Sequence, residues 1–196
     1  MDTHLERNDL NKQPIATISV LTVTGVVTAL QYSYPSLLPL LQRTPSALVL
    51  CQWWRLFTPL FVHSDGLRQI AFNFPVILIV GTLVERIFGH LRWLIIYFTC
   101  GLVGEIAGYA WQPSGAGASV AGAGLLGSLA LWLLHDSKLV RTKVGGGVIL
   151  VAALILVYCR DIHGPPILVG ALIAFAMLSL PLHRSTNSKT NGDPAH

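Results

Sequence analysis

Charge is what this chain has least of. Asp, Glu, Lys and Arg make up only 11% of its 196 residues, while 53% are apolar. Soluble domains carry about a quarter charged residues, so a water-exposed globule is excluded. Cysteine is scarce as well. Cys51, Cys100 and Cys159 form an odd set without metal-ligand spacing, and they read as small apolar packing residues rather than a disulfide framework. His63, His90, His135 and His163 also lack ligand spacing, so neither a metal nor any other cofactor is expected. No basic cluster interleaves with aromatic residues, which argues against a nucleic-acid partner. A channel or transporter is disfavoured too: there is no internal repeat, and Glu105 is the one acid deep in an apolar stretch.

What the chain does have is apolar length. Six stretches, near 15–32, 67–84, 91–111, 119–135, 144–159 and 164–182, approach the roughly 20 residues that cross about 30 Å of hydrocarbon. Without water to satisfy the backbone, each span must be helical. The fold class expected is an all-α membrane protein, a compact bundle of six transmembrane helices. Residues 1–14 form a cytosolic leader, 15–182 the membrane domain and 183–196 a polar, disordered cytosolic tail. The leader carries Asp2, Glu6 and Asp9 and lacks a strongly basic region, so the first span reads as retained rather than as a signal peptide. With both termini cytosolic, only Arg43, Arg55, Arg68 and Arg160 of the 13 cationic residues fall outside. That distribution obeys the positive-inside rule.

Helices in lipid associate through small residues. Gly101, Gly104 and Gly108 lie in the third span, Gly122, Gly124 and Gly127 in the fourth, and Gly164, Gly170, Ala171 and Ala174 in the sixth. A bundle centred on the fourth helix follows, and the same glycines offer a purely structural account of the Gly115–Gly124 run. Residues 33–64 differ: Pro35, Pro39, Pro45 and Pro59 break a segment rich in leucine and aromatics. It should lie in the outer interface, with Trp53 and Trp54 at headgroup level.

Three polar residues share one depth. Asn73 stands about two turns into the second span, Ser119 opens the fourth, and His163 opens the sixth. All three spans run in the same direction, which puts these side chains in one outer layer. Polar groups there are costly unless they face one another or a wet cavity. A serine needs a base to become a nucleophile, histidine has a suitable pKa, and an asparagine amide can donate to a developing oxyanion. Acyl transfer is the chemistry these residue types allow.

In order along the chain, Trp54-Arg55-Leu56-Phe57-Thr58-Pro59, the stretch ending in Asn73, Gly81 with Glu85 and Gly89, Gly117-Ala118-Ser119, and His163 with Gly170 resemble the motifs of the rhomboid intramembrane serine proteases. The likeness covers residues 54–174. It implies a rhomboid-like six-span bundle and an endopeptidase with Ser119 as nucleophile and His163 as base, a dyad without an essential aspartate. It gives Asn73 and the Ser119 N–H to the oxyanion hole, and Arg55 and Glu85 to structure. Substrates would be single-span membrane proteins reached from the lipid bilayer, and the location a bacterial cytoplasmic membrane. Nothing in the sequence sets an oligomeric state. Four positions depart from the family pattern. Val120 replaces a glycine and is expected to crowd the scissile carbonyl, so Val120→Gly should hold or raise activity. Gln69 stands for a histidine and can support the oxyanion through its amide. Ala123 replaces an aromatic that stacks on the base, and Pro166 replaces a glycine. The alternative these departures raise is a catalytically silent rhomboid-like protein that binds transmembrane helices. Asp161, two residues before His163, reads as an interfacial loop charge.

Overall fold

A computed structural model of the chain describes residues 13–136 and 139–179. The expected leader lies outside these residues except for its last two, and the expected tail lies wholly outside them. The α-helices among the described residues are α1 (Ile15–Ser33), α2 (Leu37–Leu41), α3 (Gly66–Phe88), α4 (His90–Trp111), α5 (Ser119–Asp136), α6 (Val140–Tyr158) and α7 (Gly164–Ser179). Five of them, α1 and α3 to α6, are long and apolar enough to cross a membrane, and α7 is a shorter apolar helix. The chain is an integral multi-pass membrane protein. Large apolar side chains lie exposed along its helices, among them Val23, Ile79, Val148 and Phe175. Such surfaces belong in lipid.

Helix α5 is the hub, packing on α3, α4, α6 and α7. Its closest partner is α7, and the reason is backbone approach. A methyl group added at Gly127 would lie 1.9 Å from the Ile167 carbonyl oxygen, and one added at Gly170 would lie 2.0 Å from that of Gly124. No residue but glycine fits either place.

Two polar knots fix the helix ends. Pro14 offers no side-chain cap to α1. Its free N–H groups are taken by Glu85 from the far end of α3, which accepts from Ala16 N and Thr17 N at 2.7 Å each and from Thr17 Oγ1 at 2.6 Å. His90, beyond the Gly89 turn, also bonds Glu85. Gly89 has φ +84, left-handed backbone that glycine adopts freely, and this allows α4 to begin one residue after α3 ends. The second knot lies in the segment between α1 and α3. There Arg55 Nη1 donates to the Pro39 and Gln42 carbonyls at 2.7 and 2.6 Å, and Thr58 Oγ1 donates to Leu41 O at 2.7 Å. These bonds satisfy the end of α2, a helix too short to close itself. The segment folds as α2 and two 3-10 turns, Trp53–Leu56 and Thr58–Phe61, with Trp53 and Trp54 exposed.

Candidate active site

Helices α3, α5 and α7 start at the same end of the bundle, and the site is built from their first turns. The approach to Ser119 is held in extended form by loop contacts. Arg43 and Gly115 exchange backbone hydrogen bonds, N to O at 2.9 and 3.2 Å, and Gly117 N donates to Pro59 O at 2.9 Å. Ser64 Oγ donates to Ala116 O and accepts from Ala116 N, both at 3.1 Å. Gln69 Nε2 donates to the same Ala116 carbonyl at 2.9 Å. A methyl group at Gly117 would lie 2.2 Å from that nitrogen. Gln69 therefore braces the loop before Ser119 with one amide N–H, and its side chain also borders the cavity that Asn73, Ser119 and His163 share.

Beneath this loop runs a buried ion pair that composition alone does not reveal. Arg43 Nη1 bonds Glu105, and Arg43 Nε donates to Gln112 O at 3.0 Å. A methyl group at Gly108 would lie 2.3 Å from the guanidinium carbon, so that glycine leaves the groove in which Arg43 lies. The signal in the sequence was an acid deep in an apolar helix, which requires a partner. His63 was also unassigned. It is fully buried, with Nδ1 at 3.1 Å from Thr28 Oγ1, and Gln31 bonds both its N–H and its carbonyl at 2.9 and 2.8 Å. Burial pushes its ring down to about 4 and keeps it neutral. Its part is to tie the start of α3 to α1.

Ser119 is the first residue of α5, so its N–H is one of the four that a helix leaves without an internal partner. His163 immediately precedes α7. Its Nε2 stands 3.0 Å from Ser119 Oγ. Asn73, two turns into α3, is buried, and its Nδ2 has no hydrogen-bond partner among the described residues. Ser119, His163 and Asn73 share two contiguous cavities. One, about 180 Å³, is apolar and bounded by Phe72, Val76, Ile77, Ala123, Leu126 and Ile167. The other, about 400 Å³, opens past Asp65, Arg68 and Gln69. Behind the serine lies a polar chamber of about 170 Å³ that reaches Arg43 and Glu105. Arg55 and Glu85 lie outside these cavities, at the helix-end positions described above.

Asp161 differs from its reading as a loop charge. Its Oδ1 accepts from His163 N at 2.8 Å and faces His163 Nδ1 at 2.7 Å. Burial alone would raise this carboxyl, but the His163 backbone and ring bonds overcome it and hold the group below the usual aspartate range. An Asp-x-His step directly before a helix was the signal for this contact, because a short acidic side chain there bonds N–H groups two residues on.

Val120 differs as well. Its side chain is buried away from the Asn73 cavities, in a notch of α4: a methyl group at Gly104 would lie 2.5 Å from Val120 Cβ and 3.0 Å from Pro166 Cγ. The valine fills space that Gly104 leaves and borders the polar chamber behind Ser119, not the two cavities that Asn73 lines. Pro166 closes the same notch from the first turn of α7, where a missing N–H breaks no intrahelical bond. Ala123 leaves the apolar cavity open where an aromatic side chain would fill it.

Comparison with known proteins agrees with this architecture. The rhomboid domain matches residues 50–180. The chain is 36% identical over 140 residues to the rhomboid protease GluP of Bacillus subtilis, covering 66% of this chain and 27% of that protein. It is 36% identical over 81 residues to Rhomboid-like protease 3 of Toxoplasma gondii, covering 40% and 30% respectively. It is also 30% identical over 93 residues to a protein of Arabidopsis thaliana named Inactive RHOMBOID-like protein 8, covering 46% and 26%. The chain thus spans 30% or less of the length of each of these three relatives. The matched domain takes in every helix from α3 to α7, and the chain belongs to the rhomboid family.

Proposed function

We propose that this chain is an intramembrane serine endopeptidase that cleaves single-span membrane proteins with Ser119 as nucleophile and His163 as general base. The supporting observation is the 3.0 Å contact between Ser119 Oγ and His163 Nε2, in a cavity shared with the unpartnered amide nitrogen of Asn73. In this reading Ser119 Oγ adds to the scissile carbonyl carbon while its proton passes to His163 Nε2. The carbonyl electron pair moves to oxygen, which Asn73 Nδ2–H and the Ser119 N–H stabilise. The positive end of α5 favours the same charge. The intermediate collapses, the C–N bond breaks, and His163 gives its proton to the leaving amine. A water molecule then adds to the acyl carbon and gives a proton to His163. Ser119 Oγ leaves and takes that proton back. The polar chamber behind Ser119 is the route by which this water arrives, and the apolar cavity accepts an apolar side chain flanking the cut.

The domain arrangement that goes with this reading is a cytosolic leader 1–14, a six-span domain 15–182 and a cytosolic tail 183–196. The Ser119 end faces outward from a bacterial cytoplasmic membrane. Arg86, Arg92, Arg141 and Lys143 then lie on the cytosolic side among the described residues. A second reading, a silent member that binds transmembrane helices, draws on the relative named inactive.

Purified protein in proteoliposomes decides between them. A fluorophosphonate probe is expected to label the wild type and not Ser119→Ala. Ser119→Ala and His163→Ala should abolish cleavage of a single-span reporter to similar extents, because nucleophile and base act as a unit. Folded wild type that shows neither Ser119-dependent labelling nor cleavage would establish the silent reading instead.

A further inference from the structure

The backbone that carries Asp161 is fixed from both sides. Helix α6 ends in a left-handed closure: Arg160 has φ 57, its N–H bonds Val157 O at 3.0 Å, and the Asp161 N–H bonds Leu156 O at 2.8 Å. This paired arrangement is the glycine-type helix stop, here made by an arginine. Three residues further on, Gly164 N donates to Asp161 O at 3.2 Å as α7 begins. Between these clamps the carboxylate meets both the N–H and the ring of His163 through one oxygen. The opposite ring nitrogen faces Ser119 Oγ. Carboxylate, imidazole and hydroxyl thus form one line of hydrogen bonds. Asp161 itself borders none of the three cavities that meet at Ser119.

We infer that Asp161 is a positioning residue for His163, so that this chain works with a carboxylate–imidazole–hydroxyl relay instead of a bare serine–histidine pair. The inference rests on the protease reading above. By accepting from Nδ1, Asp161 fixes the tautomer that leaves Nε2 free to take the Ser119 proton. Its charge then stabilises the imidazolium formed while the serine adds to the carbonyl. Asp161 keeps its own charge throughout, and the proton goes to Nε2 and back. About a third of the carboxylate side chain is open to solvent, so screening weakens the effect relative to a buried aspartate.

A purely structural role is the competing account, since the same oxygen caps the His163 N–H. Asparagine and serine cap as well as aspartate but carry no charge. In the full-length protein in proteoliposomes, Asp161→Asn and Asp161→Ser should each lower kcat for the reporter by about 10- to 100-fold. That is less than the roughly 10⁴-fold loss known where the aspartate is buried. KM should stay unchanged, the rate of fluorophosphonate labelling at Ser119 should fall in step, and thermal unfolding should match the wild type. If either folded variant stays within about threefold of wild type in kcat and labelling rate, the relay is overturned and the cap is its whole role. Wild type with no Ser119-dependent labelling would overturn the protease reading, and this inference with it. Active wild type with unaffected variants overturns this inference alone.

Discussion

Asn73 holds a buried amide nitrogen that meets no partner among the described residues, and an unmet donor costs a folded protein about 1–3 kcal/mol. Such a group persists where function uses it. Asn73→Leu, close to it in size, removes the unmet donor and should leave the unfolding temperature unchanged or higher. Cleavage should fall by about 10²–10³-fold, the loss that follows removal of one oxyanion donor. The fall should be smaller than that from Ser119→Ala, because the Ser119 N–H remains. Parallel measurement of unfolding and reporter cleavage checks both halves, and a variant that loses stability without losing rate would make Asn73 a packing residue. That Ser119, His163 and Asn73 lie together was legible in the sequence, because agreement in depth needs only helix direction. The contact of Asp161 with His163 was not legible, because a loop charge and a histidine partner share one sequence pattern. Only the α6 stop at Arg160 turns the carboxylate inward.

The helices themselves were easy to place. The expected spans and the observed helices agree within four residues at every end that the structure describes, since apolar length is the property the bilayer demands. What the sequence did not show was which small residue meets which large one. Val120 was read against the active site, whereas its partner is Gly104 on the neighbouring helix. Glycine at position 120 therefore leaves a void against α4 and does not widen the two cavities that Asn73 lines. Val120→Gly should destabilise the protein by about 2 kcal/mol, through lost packing and a glycine within a helix. Activity per folded molecule should not rise. Gly104→Ala alone should also destabilise, because its methyl group meets Val120. The double variant exchanges the volumes and should be more stable than the sum of the two single losses predicts. A double-mutant cycle on thermal unfolding in detergent measures this coupling, and strict additivity would show that the two residues do not share the notch.

For the whole molecule, the direction of insertion is the feature on which the proposed biology depends most. The helices alternate, so the starts of α3, α5 and α7 lie at one end and the starts of α4 and α6 at the other. Which end faces out is legible only through charge: Arg86, Arg92, Arg141 and Lys143 sit opposite the Ser119 end, while Arg43 is spent on Glu105 and Arg55 on backbone carbonyls. Two cations that count against the rule are thus internal ties, and the remaining bias is stronger than a bare count suggests. Native thiols report the outcome. Cys51 and Cys159 are exposed and lie in the segments leading to the Ser119 end, whereas Cys100 is buried in α4. In intact cells a membrane-impermeant maleimide should label Cys51 and Cys159. In a variant with those two replaced by serine, Arg141→Cys should be labelled only after permeabilisation. The reverse pattern would put Ser119 on the cytosolic side, and with it the cleft, the polar chamber and any substrate cut there.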